Sequence, residues 1–161
     1  MLPWAVWAVL VAGAVAVLAA RPLGDWLESS PLVGALLVFG LGIVMAVTLT
    51  PVNPQGTSSW RSMGSGAPLV PDWVVSDRFA NLLLFVPLGL AVGLVGRPGA
   101  RRWLVAGALL LPFAVEGLQA VATVLNRGPQ WQDVLDNVLG VLAGLAIAWA
   151  IRVRSQRRVP A

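Results

Sequence analysis

Apolar residues fill this chain in five long runs, separated by short breaks where Pro, Gly, Arg and the acids collect. The runs cover residues 3–20, 31–50, 78–96, 103–125 and 134–151. Each approaches the roughly 20 apolar residues that a helix needs to cross a hydrocarbon core. None alternates with the period of two that a membrane β-barrel requires. An open sheet in lipid would strand backbone N–H and C=O groups, so helices are the predicted form. The pattern predicts an all-α, polytopic transmembrane bundle of about five spans, with residues 1–161 forming a single membrane domain.

The breaks refine this. The first run carries no charge, starts with Trp4 and Trp7, and ends in "VLAA", which resembles a signal-peptide cleavage site. No basic residue precedes it and it is long for a signal's apolar region, so it reads as a retained span. "RPLGDWLESS" reads as a short turn. Residues 51–76 are dominated by Pro, Gly and Ser and read as an irregular extracytoplasmic loop, with a surface segment near "LVPDWVV". Residues 152–161 read as a frayed, basic cytoplasmic tail.

Composition agrees. Hydrophobic residues make up 58% and charged ones 11%, with mean hydropathy +0.82, against roughly 25% charged in soluble domains. All eleven basic residues are Arg, spread over loops and the C-terminus instead of one helix face. That distribution fits anionic headgroups and not nucleic acid. Cys and His are both absent. Thiolate chemistry, disulfides, His-ligated zinc and His-based triads are thereby excluded within this chain. No metal site and no cofactor is implied. Membrane lipids are the expected surroundings, and the oligomeric state is not legible.

Five spans divide the breaks into two sets, one with eight Arg and the other with three. The richer set marks the cytoplasmic side. The N-terminus and the long loop are therefore expected outside, and the C-terminus inside, in a multi-pass protein of a bacterial inner or plasma membrane.

The chain has seven acidic residues, and three of them, Glu116, Asp133 and Asp136, lie close together near the end of the sequence. With Gln119, Arg127 and Asn137 they interrupt runs of Leu, Val, Ala and Gly. In the expected topology these groups fall in the outer half of the membrane. Asn81 joins them there, with Asp77, Arg78 and Asp136 as secondary members. At 1.5 Å per residue, Glu116 lies about 14 Å and Gln119 about 9 Å from the outer end of the fourth run. Glu116, Gln119 and Thr123 share one helix face; Asp133, Asn137, Gly140 and Gly144 share another, whose small residues suit close helix approach. Pro87 and Pro112 are expected to bend the third and fourth helices.

A carboxylate at mid-bilayer costs on the order of 3 kcal/mol or more. Protonation, pairing with Arg127 or Arg78, or a wet cavity would each relieve Glu116. A neutral Glu that simply ties helices together is the plainer account. Arg127 reads as a snorkelling interfacial residue or as a fork for a carboxylate or phosphate. Asp133 reads as a helix-start acid or a site residue. Asn81 and Asn137 read as interhelix links or orienting groups, and Asp136 as a site residue or one facing headgroups. The eight Trp read as interfacial belt residues.

"NLLLFVPLGL", then "EGLQ", then "RGPQWQDVLDNVLGVLAG" together resemble the VanZ-like family of small bacterial membrane proteins. The matching positions are Asn81, Phe85, Pro87, Gly89, Glu116, Gln119, Arg127, Asp133, Asn137 and Gly140. The resemblance covers a core of about 77–151. Gln130 and Gln132 stand where relatives often carry acids, so any cation site of the family would be weakened here. The resemblance implies a cell-envelope role. In the founding member that role is resistance to the glycopeptide antibiotic teicoplanin.

Three functions are consistent with these residues. The first is an outward-facing polar pocket for an amphiphilic or lipid-linked envelope ligand. The second is a membrane-embedded enzyme acting on a lipid or cell-wall precursor, with Glu116 or Asp133 as general base and a divalent ion between Asp133 and Asp136. The third is a proton or ion pathway through Glu116. Without His or Cys the balance leans away from catalysis, and the first is the leading expectation.

Overall fold

The computed structural model describes residues 4–49, 77–122 and 130–157, and every regular element among them is helical. There are five: α1 (Trp4–Trp26), α2 (Pro31–Thr48), α3 (Asp77–Leu94), α4 (Pro98–Val121) and α5 (Trp131–Gln156). Helices α1, α2, α4 and α5 are long and apolar enough to cross a membrane. The apolar part of α3, Arg78–Leu94, is shorter. At about 1.5 Å per residue the 18 residues of α3 extend about 27 Å, just under a typical hydrocarbon core.

Helix ends depart from the apolar runs in instructive ways. Helix α1 continues through Arg21 and Pro22 to Trp26, so most of "RPLGDWLESS" is helix. The reversal is confined to residues 27–30. There Glu28 takes the left-handed backbone conformation, φ 53°. Helix α4 starts earlier than its apolar run because Pro98, at the N1 position, has the right φ for a first turn and no N–H to leave unpaired. It also stops earlier, at Val121. Glu116 is therefore five residues from the helix end, about 8 Å, and not the 14 Å expected. Helix α5 runs through Arg152 and Arg154 to Gln156, so the first half of the expected frayed tail is ordered helix. Arg152 anchors it by donating from Nη2 to the Val95 carbonyl at the end of α3. The helices continue through Pro87 and Pro112. The loop 51–76, including the "LVPDWVV" segment, lies outside the described residues.

Helices α3 and α5 run parallel and pack most extensively. Arg78 meets Asp136 at one end of the pair and Val95 meets Arg152 at the other. Their faces carry matching small-residue steps, Gly89 with Gly93 and Gly140 with Gly144. A Cβ on Gly140 would overlap the Leu82 carbonyl, and one on Gly144 the Val86 carbonyl. In lipid, helix association relies on such close packing, because burying apolar surface against apolar solvent gains little. Helix α2 leans on α3 where Gly40 sits against Leu88, and α1 packs on the outside of α2.

The core lies where α2, α3, α4 and α5 meet, around Val44, Phe85, Leu88, Val92, Ala108, Val115 and Val141. The outward faces are apolar as well: Leu18, Val121, Trp131 and Trp149 are all exposed. Apolar surface inside and out is the pattern of a helical membrane bundle, whose solvent is lipid. At one end, Arg97 N–H donates to the Leu27 carbonyl and Gly96 N–H to the Ser29 hydroxyl, tying the α1–α2 and α3–α4 turns together. The opposite end gathers the polar side chains.

Candidate functional site

Three hydrogen-bonded links from four helices meet at that opposite end. Helix α4 supplies two of them because Glu116 and Gln119 are one turn apart and both face inward, at 8% and 5% exposure. Gln119 Nε2 donates to the Thr48 carbonyl at 3.1 Å. That carbonyl belongs to the last residue of α2, where no helical N–H is available to it. Thr48 turns its own hydroxyl back to the Val44 carbonyl at 2.7 Å, which hides a polar group inside the span.

Glu116 Oε2 accepts the backbone N–H of Gln130 at 2.9 Å. Gln130 is the N-cap of α5 and makes no side-chain cap of its own. Glu116 therefore serves as a cap borrowed from a neighbouring helix, lying where the α5 dipole favours an acid. This local gain offsets part of the cost of an acid held so deep.

The third link joins α3 to α5. Arg78 Nε donates to Asp136 Oδ2 at 3.0 Å and Nη2 to Oδ1 at 3.2 Å, a two-pronged fork. The Asp136 side chain is 6% exposed and that of Arg78 is 68% exposed. The sequence offered Arg78 as a partner for Glu116 and left Asp136 facing headgroups as one alternative. Instead Arg78 and Asp136 hold each other, because the two helices run parallel in a register that sets the first turn of α3 beside the second turn of α5. The fork engages both Asp136 oxygens, so a divalent ion between Asp133 and Asp136 would have to share them with Arg78. Arg78→Asp is expected to lower the thermal unfolding temperature, and adding Asp136→Arg should recover part of the loss. A double variant no better than the single one would show the fork contributes nothing.

Asn137 lies beside Asp136 at 3% exposure, and its Oδ1 has no hydrogen-bond partner among the described residues. Buried polar atoms in native proteins are nearly always paired, so this acceptor marks a place where a donor belongs. Asn81, three residues after Arg78, is half-buried on α3. Asp133 sits half-buried in the first turn of α5, and Asp77 opens α3. Arg127 and Thr123 lie outside the described residues.

Beside Glu116 the α4–α5 junction forms an open cavity of about 280 Å³, lined by Phe113, Gly117, Ala120, Gln130, Trp131 and Val134. Among the described residues its lining is mostly apolar, with the Glu116 carboxylate as its one acid. Thr48 and the Gln130 backbone amide are the parts of this end that sequence reading missed. A Thr at the end of an apolar span gives only a weak signal, and a backbone amide gives none.

The VanZ/LLP1 family model matches residues 37–152 of the chain, which takes in most of α2 as well as α3, α4 and α5. Among curated proteins, the protein-methionine-sulfoxide reductase heme-binding subunit MsrQ of Rhodospirillum rubrum is 29% identical over 96 residues. That match covers 58% of this chain and 46% of the relative, so the chain spans less than half of the relative's length. No solved structure matches.

Proposed function

The chain belongs to the VanZ/LLP1 family of membrane proteins, and from that premise we propose that its polar end binds the headgroup of an amphiphilic or lipid-linked ligand of the bacterial envelope. The observation that carries the reading is the cavity at Glu116. One acid in an otherwise apolar wall suits a molecule with an amine or hydroxyl at one end and hydrocarbon at the other. In this reading Glu116 and Asp133 meet the amine or hydroxyl groups, and Arg127 the anionic part. Asn81, Gln119 and Asn137 flank that end of the bundle and orient the ligand from behind the cavity wall. The eight-to-three distribution of Arg supports placing this end outside the cell. A glycopeptide-resistance role would follow if the ligand belongs to cell-wall assembly.

Two experiments test it. Replacing Glu116, Arg127 and Asp133 singly by Ala is expected to change teicoplanin susceptibility of the host at unchanged protein level; no change in any of the three would sink the reading. Single Cys residues at positions 119, 127 and 133, in a chain with no native Cys, should react with a membrane-impermeant maleimide in intact cells. Labelling only after the cells are opened would reverse the orientation.

The relative's name includes heme binding. This chain has no His, Cys or Tyr, which removes every common heme-iron ligand except Met. Met45 of α2, the one Met among the described residues, is partly exposed on a helix whose neighbours are apolar. The donor set does not fit a heme, and none is carried over.

A further inference from the structure

At the end of the bundle opposite Glu116, a second cavity of about 420 Å³ opens between α3, α4 and α5. Its polar lining is Arg101, Arg152 and Gln156, and its apolar walls include Val105, Leu145 and Trp149. No Asp or Glu lines it. Two guanidiniums that share one cavity repel each other, and in a low-dielectric setting that repulsion is strong. The neighbouring cations are engaged elsewhere: Arg97 lies over the Trp26 ring at 5.5 Å and Arg102 over the Trp103 ring at 5.7 Å. Arg101 makes no ion pair or ring contact among the described residues. Arg152 spends Nη2 on the Val95 carbonyl, and its Nε is buried without a partner.

A pair of unneutralised Arg side chains beside a buried, unpartnered Nε calls for an anion with several acceptor oxygens. Guanidinium forks match phosphate oxygens in geometry as well as charge. The apolar walls continue from the basic mouth along α4 and α5, and Trp149, on the rim, is exposed in the manner of an interfacial residue. We propose that this cavity binds a phosphate group, carried by an anionic phospholipid whose acyl chains lie along the α4–α5 surface. Such a site anchors the Arg-rich end of the bundle to acidic lipid. It stands independently of the ligand proposed for the polar end.

The test uses the purified full chain in a neutral detergent, with thermal unfolding followed as short-chain lipids are added. Dihexanoyl phosphatidylglycerol should raise the unfolding temperature saturably, with a midpoint concentration about tenfold below that of dihexanoyl phosphatidylcholine. Arg101→Gln should raise the phosphatidylglycerol midpoint about tenfold, while the unfolding temperature without lipid does not fall, since Arg101 makes no ion pair or ring contact among the described residues and its repulsion with Arg152 is relieved. Arg152→Gln should do likewise, with a lower starting temperature because its link to Val95 is lost. Inorganic phosphate is the second arm. A saturable response to it at the same concentrations assigns the site to the free ion, and no response assigns it to the headgroup. Equal midpoints for the two lipids with no phosphate response would overturn the proposal. So would an Arg101→Gln protein that binds phosphatidylglycerol as the native chain does.

Discussion

Gly140→Ala is expected to destabilise the bundle by about 3 kcal/mol, near the upper end of the cost of overpacking a tight core. The added Cβ would overlap the Leu82 carbonyl and press on the Phe85 side chain. A carbonyl fixed in a helix cannot rotate away, so the α3 and α5 axes must separate. Separation would also disturb Gly144, which faces the Val86 carbonyl, and Gly89, which faces that of Val141. Gly144→Ala should behave the same way. The control is Gly107→Ala on α4, where a new Cβ meets nothing within 4 Å. There the exchange should be neutral, or stabilising by up to about 1 kcal/mol through helix propensity. At this chain length each kcal/mol moves the unfolding temperature by about 2–4 °C, so the two classes separate clearly in a thermal-unfolding assay of the detergent-solubilised protein. Gly140→Ala unfolding at the same temperature as Gly107→Ala would disprove the close α3–α5 joint.

Glu116 should show the second-largest effect, and its two substitutions should part company. Glu116→Ala removes the acceptor for the Gln130 N–H at the start of α5, leaving that donor partly buried and uncapped. A loss of about 1–3 kcal/mol is expected from an unmade bond of this kind. Glu116→Gln keeps a carbonyl oxygen at the same reach, so most of the stability should remain. It removes the acid from the cavity wall, however. If the carboxylate contacts the ligand, the Gln variant should fold normally and fail in the host, and the Ala variant should fail on both counts. A Gln variant with full activity would make Glu116 a purely architectural residue.

Much of this was legible in the residues themselves. Long charge-free runs required helices, because lipid cannot satisfy an exposed backbone. The stripe of Asp133, Asn137, Gly140 and Gly144 on α5 was readable from spacing alone; the last three are buried and Asp133, in the first turn, is half-buried. The link between "NLLLFVPLGL" and the later "DNVLGVLAG" became legible through family resemblance, whose ordered pattern the family match extends from about 77–151 to 37–152.

What was not legible has physical causes. The partner of Arg78 depended on the relative level of two parallel helices, and nothing local in either segment sets that level. Asp136, one residue before Asn137, looked peripheral because a helix carries adjacent residues about 100° apart. Arg78 holds Asp136 while Asn137 lies along the small-residue stripe, so both are buried. The ends of α1, α4 and α5 were misjudged because Pro22, Arg101 and Arg152 read as breaks in an apolar run. Yet Arg is a good helix former and its long stem tolerates an interfacial turn. The cap that Glu116 gives α5 could not be read at all, since its partner is a main-chain amide.

The parallel arrangement of α3 and α5 bears on how the protein comes to be made. Adjacent antiparallel spans can close as a hairpin while they leave the translocon. This pair cannot, because α4 has to be threaded back across the bilayer between them. Arg78 is separated from Asp136 by 58 residues, about 3–12 s of synthesis at ordinary translation rates. Until α5 is made, the glycine-lined side of α3 lacks the helix it packs against most extensively. The α3–α5 seam can therefore shut only once α5 is made, and a chain cut short before α5 would be left with that seam open.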